Sequence, residues 1–413
     1  MSLIVQKYGG SSVATADKIR QVAARIARGR DAGNDMVVVV SAMGKTTDQL
    51  IDLAYEVTPH PDERELDVLL STGEIVSSTL MAMALRNRGY RAISLSGLQA
   101  GILTDGNHSK ARIKSIQPGR ILEELNKGGI VIVAGFQGVN AENNEVTTLG
   151  RGGSDTTAVA LAISLGADVC EIYTDVEGVL TADPRLVPEA YKLSRIGYEE
   201  MLELATSGAK VMASRAVELG QIYGMPILVA SSTENVPGTL ICKEATMELR
   251  NKVSGIAHDT NVAKITVSGV PDRPGTARDL FEPLAKANVS VDTIVQNVGV
   301  DNVTDVTFTV SRTDMLKALS VIEPVARKIG ARDVSHDETL AKVSIIGTGM
   351  QNAPGYAARM FTVMYEQNIN IQLITTSEIR ITCIISEERV RDAVRALHKA
   401  FEVEFKEQQA LQA

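Results

Sequence analysis

The sequence predicts an α/β protein in which a mostly parallel sheet covered by helices is followed by a duplicated module. Over residues 1–245, short apolar runs alternate with helix-like segments, which indicates strands and crossover helices of a parallel sheet. The remainder of the chain contains an internal repeat. A chain of 413 residues, 44% of them hydrophobic, is long enough for two or three domains with separate cores.

The first predicted strand, residues 3–6, ends in the glycine-rich segment KYGGSS at residues 7–12, and a helix is predicted over residues 17–30. Because Lys7 precedes the glycines, the segment is neither a P-loop nor a dinucleotide-binding fingerprint. Its backbone N–H groups can still bind phosphate oxygens, and the lysine can reach across them. A plain strand-to-helix turn is the alternative interpretation.

A continuous apolar run at residues 36–40 is typical of a strand that is buried on both faces. Small and hydroxylated residues follow it, and the next helix is predicted over residues 48–55. Residues 66–88 are strongly helical, and we expect residues 71–74 to interrupt that helix. Glu74 has apolar neighbours, so it can bind an ammonium group or, alternatively, act as a capping glutamate.

The segment TTLGRGGSDTT at residues 147–157 lies where strand gives way to helix. Such a junction exposes N–H groups that can hold an anion. Arg151 offers a planar fork that matches a carboxylate or phosphate, and Asp155 can orient a cation. An ordinary glycine turn with a Ser-Asp helix cap is the alternative interpretation.

The other elements of residues 1–245 continue the alternation. Strands are predicted at residues 90–95, 130–136, 169–174 and 227–230, helices at 158–165, 198–205 and 210–223, and a loop with an edge hairpin at 97–118. Polar residues also follow the strand that ends at Thr174. Because ligands of open α/β sheets bind at the carboxyl ends of the strands, we expect one site assembled from four such segments.

Residues 263–267 match residues 341–345 at an offset of 78, and Pro274-Gly275 matches Pro354-Gly355 at an offset of 80. Each copy has the pattern strand, loop, helix, strand, strand, helix, strand, which is a βαββαβ unit. Two copies are too few for a solenoid. We therefore expect paired modules that bind a small ligand or each other, with a purely structural duplication as the alternative.

Composition excludes several classes of function. A formal charge of −8 leaves no large basic face for nucleic acid. No apolar run approaches the roughly 18 residues of a membrane span, and the N-terminus lacks a signal-peptide pattern, so we expect a cytoplasmic protein without membrane partners. The 3 cysteines and 5 histidines are scattered, which argues against disulfides, a protein-held metal and a Ser-His-Asp triad.

The remaining chemical groups are lysines, arginines, carboxylates and backbone N–H donors. Phosphoryl transfer needs such a set, because the protein mainly positions the reactants and neutralises charge on the transferring group. A carboxylate acceptor is already ionised at neutral pH and needs no general base. The scarcity of histidine therefore favours a carboxylate as the acceptor.

The chain resembles the aspartokinases, which are amino acid kinases with two C-terminal ACT domains. The resemblance covers essentially the full length and is carried by VQKYGGSSV, VVVVSAMGKTTDQL, STGEIVS, VAGFQGVN, TTLGRGGSDTTA, YTDVEGVLTADPR, SGAKVM and TTSEIRITCII. It implies an amino acid kinase-type, mostly parallel sheet sandwiched by helices, followed by two ferredoxin-like βαββαβ (ACT) regulatory domains. The expected boundaries are 1–245 for the catalytic domain, 246–337 for the first repeat with its linker and 338–413 for the second.

The resemblance implies ATP-dependent phosphorylation of the side-chain carboxylate of L-aspartate to 4-phospho-L-aspartate, the first step toward lysine, threonine and methionine. Lys7 matches the lysine that stabilises the transferring phosphoryl group, and Asp155 matches the aspartate that orients it. The implied substrate-binding residues are Ser41, Thr47, Glu74, Arg151, Gly152, Gly153 and Ser154. Among them, Arg151 matches the clamp on the α-carboxylate and Glu74 the partner of the α-ammonium.

The residues that match the family's nucleotide site are Lys7, Tyr8, Gly9, Gly10, Tyr173, Thr174, Asp175, Asp183, Arg185 and Lys210. The sequence departs at Leu180, where many relatives have a tyrosine beside the nucleotide. We expect ATP with Mg²⁺, and we expect the ion to be held mainly by the phosphates because the sequence offers no acidic cage.

The resemblance to ACT domains implies amino-acid effectors, with L-lysine, L-threonine or both expected. The positions that match effector sites are Asp272, Gly275, Thr276, Ala277, Asp292 and Gln296 in the first repeat, and Met350, Asn370, Ile371, Ser377 and Glu378 in the second. We also expect a homo-oligomer formed through the ACT domains. Some relatives make the regulatory part as a separate subunit, and Met247 is where such a subunit would start.

Two rival functions remain open at this point. A kinase of the same superfamily that acts on N-acetylglutamate would need no anionic partner for an α-ammonium, so Glu74 argues against it. An amino-acid sensor with an inactive kinase domain is the second rival. The presence of Lys7, Arg151 and Asp155 argues against an inactive domain.

Overall fold

The computed structural model describes residues 2–209, 211–243, 253–297, 303–350, 354–402 and 405. Two predicted positions, Lys210 of the nucleotide site and Met247 at the start of a separate subunit, lie outside the described residues.

The first part of the chain alternates strands and helices, as predicted. Its strands are β1 (Leu3–Tyr8), β2 (Asp35–Val40), β3 (Ala92–Leu95), β4 (Ile102–Thr104), β5 (Ile113–Ile116), β6 (Ile130–Ala134), β7 (Gln137–Asn140), β8 (Val146–Thr148), β9 (Val169–Thr174), β10 (Arg195–Gly197), β11 (Ile227–Ser231) and β12 (Thr239–Cys242). Its helices are α1 (Ala16–Asp31), α2 (Thr46–Val57), α3 (Glu63–Arg86), α4 (Gly119–Asn126), α5 (Gly153–Leu165), α6 (Tyr198–Thr206) and α7 (Ser214–Tyr223).

Eight of these strands form one sheet in the order β10-β12-β11-β9-β1-β2-β6-β3. Among the described residues every pairing in it is parallel except that of β11 with β12, which confirms the mostly parallel sheet. Alternate residues of β2 enter two different cores: Val37 and Val39 pack in one, and Met36, Val38 and Val40 in the other. The strand is therefore buried on both faces, as its continuous apolar run predicts.

A smaller sheet, in the order β5-β4-β7-β8, lies beside the main one. Strands β4 and β5 pair antiparallel, which confirms the edge hairpin predicted within residues 97–118. Strand β8 ends at Thr148 and leads directly into the glycine-rich turn before α5. The hairpin and this turn are therefore neighbours.

Two predictions for helices are wrong. Helix α3 runs without interruption from Glu63 to Arg86, because the hydroxyls of Ser71 and Thr72 donate to carbonyls of the preceding turn and leave the helix intact. Helix α5 begins at Gly153 and not at residue 158. The preceding Gly152 has a φ of 75°, a conformation that glycine adopts without strain, and it forms the N-cap.

Helix α3 is the one described helix that is long and apolar enough, by length and composition, to cross a membrane. In the structure it packs against β3, β6 and β8, and half of its apolar window is buried. That packing accounts for its apolar composition as a core helix.

The second part of the chain contains two four-stranded antiparallel sheets. Its elements are β13 (Gly255–Asp259), β14 (Ala263–Pro271), α8 (Thr276–Lys286), β15 (Val291–Gln296), β16 (Val303–Val310), α9 (Met315–Ile329), β17 (Asp333–Asp337), β18 (Leu340–Ile346), α10 (Tyr356–Glu366), β19 (Leu373–Thr376), β20 (Arg380–Ser386) and α11 (Val390–Ala400). The sheet orders are β15-β16-β14-β17 and β13-β18-β20-β19. The first repeat has the predicted βαββαβ order.

The last strand predicted for the second repeat would follow α11, where most residues lie outside the described part of the chain. Among the described residues, the fourth strand of this sheet is β13, which precedes the first repeat in the chain and pairs antiparallel with β18. The N–H of Ile256 in β13 also donates to the carbonyl of Thr181 at 2.7 Å. One strand thus joins the second antiparallel sheet of this region to the first part of the chain.

Candidate active site

Three neighbouring strands end level with one another at one edge of the main sheet. Tyr8 pairs with Val40 on one side and with Tyr173 on the other. Beyond these pairs, the N–H of Gly9 donates to the Tyr173 carbonyl at 3.2 Å, and the N–H of Ser41 donates to the Tyr8 carbonyl at 3.1 Å. The polar segments after β1, β2 and β9 therefore meet at this edge, as the sequence predicts.

Lys7 and Asp155 form an ion pair across this edge. The distance from Lys7 Nζ to Asp155 Oδ1 is 2.6 Å, and the two side chains are only 11% and 10% exposed. Asp155 lies in the first turn of α5, and its other oxygen accepts the N–H of Ala213 at 3.2 Å. The pair fixes the ammonium group of Lys7 at the end of β1, beside the glycine loop.

The loops after β1 and β2 lie against each other. A Cβ on Gly10 would lie 2.8 Å from the carbonyl oxygen of Ala42, so only glycine permits this approach. The N–H of Gly44 donates to the Gly10 carbonyl at 3.0 Å. Ser41 and Thr47, both half-buried, flank this contact. The hydroxyl of Ser12, which the sequence analysis did not single out, is buried here without a partner among the described residues.

Glu74 is a buried carboxylate, and one of its two oxygens has no hydrogen-bond partner among the described residues. Its side chain projects from α3, and the residue is 3% exposed. Oε1 accepts the N–H of Ala42 at 3.0 Å, whereas Oε2 has no partner among the described residues. Burial raises the pKa of Glu74 to about 7. Glu74 lies in the middle of α3, far from either end, so the interpretation of it as a capping glutamate is wrong. Its unpaired Oε2 can accept a hydrogen bond from a ligand ammonium group.

Arg151 lies in the turn between β8 and α5. Its side chain is exposed, and it forms no ion pair or hydrogen bond with the part of the chain that the structure describes. It borders a cavity of about 1000 Å³, whose lining comes mainly from β5, α5 and α7 and does not include Lys7, Glu74 or Asp155. Gly152, Gly153 and Ser154 follow it, and the last two are buried at the start of α5. The guanidinium is therefore available to an anionic ligand.

A second cavity, of about 330 Å³, lies beyond the end of β9. Three of the predicted nucleotide residues line it, namely Asp175, Asp183 and Arg185. Arg185 donates to both oxygens of Asp183, and these hydrogen bonds hold the pKa of that carboxyl below its usual value. Leu180 also lines the cavity and supplies an aliphatic wall.

Other predicted nucleotide residues do not line this cavity. The rings of Tyr8 and Tyr173 stack on each other 4.9 Å apart, and Tyr8 is completely buried. Their side chains belong to the core behind the sheet edge. Thr174 lies next to the cavity and donates to Asp175 at 3.1 Å.

Gly208 and His258 are among the residues of the second cavity that the sequence analysis did not assign to the nucleotide site. A Cβ on Gly208 would lie 2.0 Å from the backbone oxygen of His258, so strand β13 closes directly on this glycine. Gly208 stands in the SGAKVM motif, which could have found it. His258 carries no such signal, because it comes from a strand of the regulatory sheet.

The candidate effector residues of the first repeat lie at the start of α8 and along the edge strand β15. Gly275 has a φ of 98° before α8, and the Thr276 hydroxyl donates to the Pro271 carbonyl at 3.0 Å. Asp292 pairs with Lys342 of the other repeat. The exposed members of this set are Asp272, Gly275, Ala277, Asp292 and Gln296.

In the second repeat, Met350 is buried, Asn370 and Ile371 precede β19, and Ser377 and Glu378 follow it. Ser377 reaches Glu203 of α6 at 3.5 Å. Arg380 Nη1 lies 2.9 Å from the same carboxylate. This end of the second repeat therefore contacts the first part of the chain.

Comparison with known proteins identifies the class to which this fold and site belong. Residues 2–231 match the amino acid kinase family, and residues 264–327 and 343–401 each match the ACT domain. An aspartate kinase of Stutzerimonas stutzeri is 52% identical over 406 residues, which cover 98% of each chain. The aspartokinase of Corynebacterium efficiens is 50% identical over 408 residues, covering 98% of this chain and 97% of the other. The chain therefore belongs to the aspartokinase family.

Solved structures agree with this assignment. Escherichia coli aspartokinase III in complex with aspartate and ADP, in the R-state, has a TM-score of 0.82 at 27% identity, covering 96% of this chain and 99% of that one. The same enzyme in complex with lysine and aspartate, in the T-state, has a TM-score of 0.71 at 26% identity, covering 96% and 99%.

Proposed function

We propose that this chain transfers the γ-phosphoryl group of ATP to the side-chain carboxylate of L-aspartate, giving ADP and 4-phospho-L-aspartate as the first step toward lysine, threonine and methionine. The observation that carries the proposal is the unpaired Oε2 of Glu74, which is buried at the strand edge. A free α-ammonium offers this carboxylate a charged donor, whereas an acetylated amine offers one N–H and no positive charge. The aspartokinase relatives and the complex with aspartate and ADP support the same substrate.

In the proposed complex, Arg151 binds the α-carboxylate of aspartate in a bidentate manner and Glu74 binds its α-ammonium. Ser41, Thr47 and Ser154 supply hydroxyl contacts, and Gly152 and Gly153 let the backbone approach the substrate. The side chain of aspartate is thereby directed toward Lys7. No general base is required, because the attacking carboxylate is already ionised.

The proposed chemical step is a single displacement at phosphorus. A carboxylate oxygen of aspartate forms a bond to the γ-phosphorus while the bond to the β–γ bridging oxygen breaks, and that oxygen leaves on ADP. Lys7, held by Asp155 at 2.6 Å, donates to the oxygens of the transferring group as charge shifts onto them. The N–H of Gly10 donates to the phosphates, whereas Gly9, whose own N–H is engaged by the Tyr173 carbonyl, lets the backbone approach them closely.

The cavity of about 330 Å³ fits the adenosine part of ATP, because Val176, Val179, Leu180 and Ile256 give it apolar walls and Asp175 a polar group. The described residues contain no cluster of three or more side chains suited to a metal ion. Mg²⁺ would therefore be held mainly by the phosphates, where it offsets their negative charge.

We also propose end-product regulation through the two ACT domains, with lysine, threonine or both as effectors. The complex of aspartokinase III with lysine supports lysine as an effector of that enzyme. Exposed edge strands β15 and β19 are available for pairing, which supports a homo-oligomer formed through these domains. A separately made regulatory subunit that starts near Met247 stays a prediction from the sequence. We place the enzyme in the cytoplasm.

The proposal is tested by ATP-dependent ADP release from purified protein with L-aspartate, N-acetyl-L-aspartate and N-acetyl-L-glutamate, each with and without lysine and threonine. We expect release with L-aspartate alone among the three acceptors. Equal release with N-acetyl-L-glutamate would favour the rival kinase, and no release with any acceptor would favour an inactive sensor.

A further inference from the structure

We propose that Asp67 is a positioning residue that holds the backbone carrying Arg151 and thereby sets the affinity for aspartate. The inference rests on the proposed role of Arg151 as the α-carboxylate clamp. Asp67 lies on α3 seven residues before Glu74, so about two helical turns place both carboxylates on one face of the helix. The residue is 0% exposed.

Two chain segments converge on this buried carboxylate. Oδ1 accepts the hydroxyl of Thr148 at 2.5 Å and the N–H of Ser109 at 3.1 Å. Oδ2 accepts the same N–H at 3.0 Å and lies 2.9 Å from Nδ1 of His108. Three groups therefore meet at Asp67, namely the Thr148 hydroxyl, the Ser109 N–H and the His108 ring, and the carboxylate joins the loop between β4 and β5 to the end of β8.

Both segments lie against Gly150, the residue before Arg151. Thr148 precedes Gly150 by two positions, and its carbonyl accepts the N–H of Ala111 at 2.9 Å. A Cβ on Gly150, which has a φ of 77°, would lie 2.9 Å from the carbonyl oxygen of Ser109. The loop that Asp67 holds thus forms the surface on which Gly150 rests.

Arg215 of α7 closes the same turn from the opposite side. Its Nη1 donates to the Leu149 carbonyl at 3.0 Å and its Nη2 to the Ala111 carbonyl at 2.9 Å. The side chain of Arg151 itself has no partner among the described residues, so the backbone of its turn sets the region that its guanidinium can reach. A displacement of about 1 Å in a substrate-positioning group can cost on the order of a hundredfold in rate.

The experiment compares Asp67→Asn, Thr148→Val and Thr148→Ser with the unmodified protein, measuring kcat, both KM values and thermal unfolding. We expect Asp67→Asn to raise the aspartate KM about tenfold while the ATP KM stays within about twofold. Thr148→Val removes a single hydrogen bond to Asp67 and should raise the aspartate KM less. Thr148→Ser keeps the hydroxyl and should restore the original value.

Glu124→Gln is the matched control. Glu124 is a buried carboxylate of α4 that pairs with Arg91 and Lys127, and it contacts neither segment around Arg151. We expect it to lower thermal stability without changing the aspartate KM. The inference is overturned if Asp67→Asn and Thr148→Val leave the aspartate KM unchanged. It is also overturned if they raise the KM values for aspartate and ATP equally, because a general loss of structure would have that effect.

Arg151→Ala, assayed in parallel, separates this inference from the proposed function. If Arg151→Ala raises the aspartate KM and the Asp67 and Thr148 variants do not, the positioning role fails and the substrate assignment stands. If Arg151→Ala has no effect on the aspartate KM, the proposed role of Arg151 fails. If Asp67→Asn does not fold, the comparison of the aspartate KM of Thr148→Val with that of Thr148→Ser tests the positioning role instead.

Discussion

The ammonium group of Lys7 and the carboxylate of Asp155 lie 2.6 Å apart, although they come from the first strand of the chain and from a helix that begins about 145 residues later. Both side chains are nearly buried, so water screens the pair weakly. Lys7 is thereby held at the sheet edge in one orientation, with its remaining protons available to a phosphate.

Replacing Lys7 with alanine should lower kcat by at least about a hundredfold, because a preorganised donor to the transferring group is lost. The dissociation constant for aspartate, measured by calorimetry with an inert ATP analogue, should change much less. Arg88→Ala, which removes an exposed basic residue just beyond the end of α3, is the charge-matched control and should leave both quantities unchanged. A variant that changes only the aspartate KM would contradict the role given to Lys7.

Arg151→Ala should mainly raise the aspartate KM, by roughly 10- to 100-fold, because a bidentate charged contact to the α-carboxylate is removed. The ATP KM should stay nearly constant, since the second cavity does not include Arg151. Steady-state kinetics with each substrate varied in turn provide the measurement. An effect confined to the ATP KM would refute the assignment.

Glu74 should make stability depend on pH. Its pKa is raised to about 7 by burial, against 4.5 for an exposed glutamate, so the folded chain holds this proton more tightly than the unfolded chain. The contribution to the free energy of unfolding is therefore fully present below pH 4.5 and is lost as the pH rises through 7. The loss corresponds to at most roughly 3 kcal/mol.

This loss can be measured by denaturant unfolding of the original protein and of Glu74→Gln at pH 5 and pH 8. The difference in free energy of unfolding between the two proteins should change between the two pH values by the amount lost. The variant should also bind aspartate more weakly at pH 8, where ionised Glu74 pairs with the α-ammonium. Parallel pH profiles for the two proteins would mean that Glu74 does not titrate in this range.

Asp292→Ala should relieve inhibition by the effector with little change in uninhibited turnover, because Asp292 matches an effector-binding position of the first repeat. Asp292 also pairs with Lys342, so Lys342→Ala is the necessary control. If the effector contact matters, Lys342→Ala stays sensitive; if the ion pair between the repeats matters, both variants lose sensitivity. Unchanged inhibition in Asp292→Ala would remove the residue from the effector site.

Much of the fold could be predicted because its signals are periodic. The continuous apolar run at β2 indicates a strand buried on both faces. The matching segments at a constant offset indicate a duplicated module. The continuous α3 could not be predicted, since Gly73 and its hydroxylated neighbours look like a break in sequence. In the structure a Cβ on Gly73 would lie 2.9 Å from that of Ala42, so glycine there serves close packing. The pairing of β13 with β18 could not be predicted either, because the local sequence pattern of a strand does not indicate which sheet it joins.

The site was predicted less completely than the fold. Residues after strand ends, such as Lys7 and Asp155, could be found because a parallel sheet brings those ends together. Asp67 could not, because one carboxylate in a long helix has no feature that marks it as buried. His258 reaches the second cavity from the regulatory sheet, and this contact depends on packing between distant segments.

The most direct test of phosphoryl transfer to aspartate is to incubate the protein with ATP, Mg²⁺ and L-aspartate in the presence of hydroxylamine, which converts an acyl phosphate into a hydroxamate. The account predicts ADP and β-aspartyl hydroxamate in equal amounts, and neither product above background with Lys7→Ala. ADP without hydroxamate, or undiminished hydroxamate with Lys7→Ala, would contradict it.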